Sequence, residues 1–190
     1  MSKDRIWFGI PRSNQARVFF ILLGFTLVLM ISLQVIGGPL QTNAAPSGII
    51  SYELAGSLDN AWAMLNSWGS EGQVFAALSL GLDYLFLVAY SITIALGCRI
   101  VASNLHPRFG FLIRLGILLS WAQFLAALLD ALENYALIRI LLGSENALWP
   151  PTALWSAVPK FIIVVLGIVY ILAGAIMTLI PKNRSVRASP

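Results

Sequence analysis

Two stretches of this chain place side chains where they could do chemistry. Asp83 is the single charge between about Gln73 and Cys98, with Ser79 four residues before it and Tyr90 seven after, so all three share one helical face. A second stripe reads Gln123, Ala127, Asp130, Glu133 and Asn134, and Lys160 stands at the head of the last apolar run. Carboxyls that face one another in apolar surroundings can share a proton, which suits proton-coupled transport or acid-base work on a lipid. Asp83, Tyr90, Asp130, Glu133, Asn134 and Lys160 are therefore the candidate polar pocket, expected to open toward the outer face. Each has a plainer reading beside this one. Glu133 and Lys160 near a boundary are commonly solvated or snorkelling, and Asp130 with Asn134 can be a hydrogen-bonded pair along one helix.

Other chemistries find no residues to carry them. Cys98 is the lone cysteine, which leaves a thiol oxidoreductase without its second sulfur. His106 is the lone histidine, too few for a haem or zinc site. There is no P-loop, GxSxG or HExxH. Carboxylates alone could take Mg²⁺ or Ca²⁺, but Lys160 beside them opposes it. No catalytic residue, cofactor or metal is assigned, and the balance leans away from an enzyme.

The elements that must hold these residues follow from composition. Of 190 residues 58% are hydrophobic and only 11% charged, and the mean hydropathy is +0.83. That is too little charge to cover a water-soluble domain. Four runs are apolar for the roughly 20 helical residues that cross a ~30 Å hydrocarbon core. Lipid leaves no partner for bare backbone groups, so they are read as helices. The predicted fold is all-α: a four-helix transmembrane bundle with an amphipathic interfacial helix in its first outer loop, forming one membrane domain. Its parts are a tail (1–17), span 1 (18–37), an outer loop (38–72) with the interfacial helix (51–67), span 2 (73–98), and a cytoplasmic loop (99–108). Span 3 (109–141), an outer loop (142–157), span 4 (158–180) and a second tail (181–190) complete it.

Lysine and arginine set the orientation. Lys3, Arg5, Arg12, Arg17, Arg99, Arg108, Arg114, Lys182, Arg184 and Arg187 fall on the side of the termini, whereas Arg139 and Lys160 fall on the other. Both termini are expected in the cytoplasm of a plasma-membrane protein. The pI of about 9.6 then reports topology and attraction to anionic lipid, and no nucleic-acid partner is read into it. The basic start and apolar run also fit a cleavable signal peptide, but the run is longer than a usual signal core and a retained anchor is favoured. Trp7 is assigned to the inner interface, and Trp62, Trp68, Trp149 and Trp155 to the outer one.

Counting ~1.5 Å per residue from the start of span 2 puts Asp83 about 15 Å down, near the midplane. Insertion there costs about 3 kcal/mol, so the side chain must face the bundle. Asp130 counts to a shallow position, sixteen residues from Arg114. On the last span Lys160, Val164, Gly167, Ile171 and Gly174 share a line, with two glycines that permit close helix approach. In the first outer loop Leu54, Leu58, Ala61, Trp62 and Leu65 share a face, Gly69 stops the helix, and Ser70 with Gln73 resembles a capping box. That helix is either a tether or a lid over a site.

The segments ISYELAGS (50–57), SLGLDYLFLVAYS (79–91) and DALENYAL (130–137) resemble those of a group of small bacterial four-span membrane proteins with no assigned function. The resemblance covers most of residues 50–175 and implies a bacterial inner membrane without implying a reaction. Three functions remain in rank order. The first is a non-enzymatic packing or interaction protein whose partners are the bilayer and either a second copy or another membrane protein. The second is a small proton-coupled transporter using Asp83. The third is a lipid-head-group enzyme using Asp130 or Glu133, with Lys160 holding an anion.

Overall fold

The structure is a computed structural model that describes residues 10–179, without the side chains of residues 178 and 179. Lys3, Asp4, Arg5, Trp7, Lys182, Arg184 and Arg187, and with them the tail 181–190, lie outside the described residues. All regular structure in the described residues is helical: α1 (Arg12–Gly37), α2 (Ile49–Glu53), α3 (Leu58–Asn104), α4 (Gly110–Leu141) and α5 (Trp149–Leu179), with single 3₁₀ turns at Gly38–Leu40 and Pro107–Phe109. Four of them, all but α2, are long and apolar enough to cross a membrane.

The long helices alternate in direction. Residue 12 therefore lies at the same end as the α3–α4 turn, where the Arg12 guanidinium donates to the Ser103 carbonyl and the Asn104 side chain at 3.2 and 3.1 Å. α3 is the central helix. Its buried face is rich in small residues, among them Ser79, Ala89, Ser91, Thr93, Ala95, Gly97 and Ala102, and these let α1, α4 and α5 all reach it. Glycines set the closest approaches. A methyl at Gly97 would fall 2.6 Å from Ile171 Cδ1 and 2.9 Å from Phe19, and one at Gly167 would fall 2.5 Å from Gln123 Nε2. A methyl at Gly116 would overlap the Tyr170 hydroxyl, and one at Gly174 would overlap Val101. The two glycines aligned on the last span thus meet α3 and α4 directly.

The first outer loop departs from expectation. Instead of one helix over 51–67 there is the short α2, a break at residues 54–57, and the start of α3 at Leu58. Gly48 (φ 59°) and Gly56 (φ 68°) flank α2 in the left-handed region, where a side chain would be strained, so the chain reverses at both ends. Ser57 caps the restart by accepting from the Asn60 amide at 3.3 Å. From Leu58 onward the expected face does turn inward, with Ala61 and Leu65 buried, but Leu54 is exposed.

At Gly69 (φ 62°, ψ −172°) the backbone is non-helical, so the expected stop is present: α3 consists of two helical segments, 58–68 and 70–104, that meet there across a kink. Gln73 makes no capping box there; its amide reaches back across the kink to the Leu65 carbonyl at 3.0 Å. α5 starts at Trp149 and continues through Pro159. Trp68, assigned to an interface by its type, is buried: its indole donates to the Leu40 carbonyl at 2.7 Å and its ring meets Tyr52 edge-on. The loop is thereby tied down around buried Leu40, Ala45 and Tyr52, whose hydroxyl donates to the Leu137 carbonyl at 3.1 Å.

Candidate functional site

The six residues of the expected pocket fall into two neighbouring bonded groups, with Tyr90 two turns of α3 from Asp83. The Tyr90 hydroxyl of α3 donates to Asp130 Oδ2 of α4 at 2.9 Å. Lys160 Nζ, one turn of α5 beyond buried Ser156, donates to Asp130 Oδ1 at 3.0 Å and lies 2.7 Å from Glu133 Oε2. Asn134 Nδ2 donates to Asp83 Oδ2 at 2.6 Å. Helical spacing produces this set: Asp130, Glu133 and Asn134 at i, i+3 and i+4 share one face of α4, directed between α3 and α5. Lys160 is 6% exposed and its ammonium also lies 4.5 Å from the Phe161 ring centroid.

The depth assigned to Asp83 needs correcting. Its bond to Asn134, and the neighbouring bond from the Tyr84 hydroxyl to the Ala131 carbonyl at 3.2 Å, put it level with Asp130 and not half a helix deeper. Asp83 is sixteen residues from Arg99, as Asp130 is from Arg114, so both lie about 24 Å along their helices from the arginine-bearing end. The two counts started from opposite ends, Asp83 from Gln73 and Asp130 from Arg114, and so did not put the two residues on one scale.

Sequence reasoning missed Glu53. It belongs to the expected polar face of a surface helix, yet α2 turns it inward to 4.0 Å from Lys160 Nζ, with its side chain 13% exposed. The signal that could have found it is Gly56, whose left-handed backbone ends α2 three residues later and reorients it. Burial pushes the Glu53 carboxyl above its ordinary range; the Asp130 carboxylate adds to this and the Lys160 ammonium opposes it. One lysine is thus surrounded by three carboxyls from two other helices. Glu53 Oε2 and Glu133 Oε1 are buried without a hydrogen-bond partner. Among the described residues no group of three or more potential ligands is arranged to hold a metal ion.

Beside this cluster is a cavity of about 590 Å³. α1 packs along α3, α5 packs on α3 and α4, and the space left between α1 and α5 is the cleft. Asp83, Asp130, Asn134, Lys160 and Glu53 line its polar end; the remainder is mainly apolar, down to Phe19, Ile171 and Leu172. Thr26 and Thr93 bridge α1 to α3 through their hydroxyls at 3.0 Å along its floor. Its rim carries the exposed residues Leu27 and Met30 of α1 and Ile168 and Leu172 of α5, so the cleft opens sideways. Ile49, Ile50 and Glu53 of α2 line the polar end as well. Comparison with known protein families, with characterised proteins and with solved structures finds no match for the chain.

Proposed function

We propose that this chain is a four-pass integral membrane protein that binds a lipid-like amphiphile in the α1/α5 cleft. In this reading the four apolar helices form a transmembrane bundle, residues 12 and 179 face the cytoplasm because Arg12, Arg17, Arg99, Arg108 and Arg114 gather at that end, and α2 with residues 58–68 lies at the outer membrane surface. The resemblance to small bacterial four-span proteins would place it in an inner membrane.

The observation that carries the binding function is the cleft itself. From Lys160 to Leu172 it extends along α5 for about 18 Å, close to one leaflet of a ~30 Å core, and its volume falls within the ~300–1,000 Å³ typical of ligand sites. A cluster that served only to fix helix register would be served as well by a filled interface. The lipid-head-group enzyme is less well supported, because Asp130 and Glu133 already occupy the Lys160 ammonium that would hold an anion. A proton-coupled transporter draws on the same carboxyls and would use Glu53 together with Asp83.

The test is to fill the cleft. Ile168→Trp places a large ring at its rim, and purified protein in a neutral detergent should then retain less co-purified or added long-chain amphiphile by native mass spectrometry while keeping the wild-type melting temperature. Equal retention by wild type and variant would reject the cleft as a binding site.

A further inference from the structure

We infer that the amphiphile taken by this cleft carries a cationic, amine-type head, received between the carboxyls of Asp83 and Glu53. This inference rests on the cleft being a binding site and adds the chemistry of its ligand. Three carboxyls, Glu53, Asp130 and Glu133, lie within 4.0 Å of the single ammonium of Lys160, and a fourth, Asp83, lines the same end of the cleft. That ammonium is taken. It lies 3.0 Å from Asp130 and 2.7 Å from Glu133, with a side chain 7% exposed. An anionic head would therefore meet an excess of carboxyls with no free cation to pair with.

The two remaining carboxyls line the cleft. Asp83 spends Oδ2 on Asn134, and no described residue donates to Oδ1, although its half-buried side chain lines the cleft. Glu53 lines the same end from α2, with its buried Oε2 4.0 Å from Lys160 Nζ and its carboxyl beside that of Glu133. An ammonium has three donors and no acceptor, and so satisfies both acids at once, with the alkyl chain directed along the apolar wall toward Ile171 and Leu172. An alcohol head supplies one donor and no charge. A phosphate supplies acceptors where acceptors already abound.

The experiment presents the full chain, purified in a neutral detergent, with octadecylamine, octadecanol or octadecyl phosphate and reads binding by native mass spectrometry and melting temperature. The amine is expected to bind about tenfold or more tighter than the alcohol, the scale of a charge-assisted hydrogen bond, and the phosphate weakest. Asp83→Asn with Glu53→Gln should bring amine binding down to the level of the alcohol and leave the alcohol unchanged; an unaltered preference for the amine would overturn the inference. If that double variant does not fold, the wild-type series decides alone. Equal binding of amine and alcohol, or preference for the phosphate, overturns the cationic head and leaves the cleft standing. Binding of none of the three overturns the cleft as well.

Discussion

The two ends of this molecule are built on opposite principles. Toward the end that holds Arg12 and the α3–α4 turn, helices meet at glycines, and Gly97, Gly116 and Gly174 bring side chains of a neighbouring helix against bare backbone. Toward the other end, α1 and α5 stand apart, the gap is an apolar cleft, and the contact between α3, α4 and α5 is made by carboxyls, a lysine, a tyrosine and an asparagine. Small residues let helices close where nothing has to enter. Charged side chains hold the helices together where a space is kept, since one buried lysine shared by carboxyls fixes a register without filling the volume beside it. The contrast separates a scaffold half from a site half within one continuous set of helices.

The strongest way to break this contrast is at Lys160. Lys160→Met leaves Asp130 and Glu133 buried without their cation, and we expect a loss of about 3–5 kcal/mol in a reversible unfolding measurement in detergent or bicelles. An unchanged stability would mean that the polar cluster does not hold its half of the molecule together. Next comes Gly174→Leu, which drives a side chain into Val101 and should cost about 1–3 kcal/mol by overpacking. Set beside it, Ile168→Trp adds more volume two turns away and should cost almost nothing, because the cleft accepts it; similar losses at both positions would erase the distinction between the halves.

A smaller effect is expected from Tyr52→Phe, which removes the bond to the Leu137 carbonyl and should cost about 1 kcal/mol, together with faster hydrogen exchange over residues 49–57. The smallest is a pH effect on α2. Because the Glu53 carboxyl is held above its ordinary 4.5 in the folded chain, its contribution is fully present below that value and is lost as pH rises through the raised one. Facing Lys160, Asp130, Glu133 and Asp83, it should let α2 loosen at higher pH, read as exchange of residues 49–57. Glu53→Gln should flatten that dependence, and a slope retained in the variant would assign it to another of these groups.

Sequence alone determined the number and kind of the long helices, because four apolar runs of that length leave few alternatives to a helix. It also brought forward Asp83, Tyr90, Asp130, Glu133, Asn134 and Lys160, since a charge or a polar group in an apolar run has to be explained by something nearby, and periodicity says which residues share a face. It could not find Glu53, nor the true level of Asp83. The first depends on how α2 turns at Gly56, and a glycine in a polar loop permits a sharp turn without stating its direction; the second depends on the register of α3 against α4, which neither helix records by itself. The cleft lay further out of reach. It exists because α1 packs on α3 while α5 packs on α3 and α4, so a space remains between α1 and α5. Each helix records in its own pattern which face is apolar, but a face on the outside of the bundle and a face turned to an open cleft are apolar alike, and only the packing of all four helices distinguishes them.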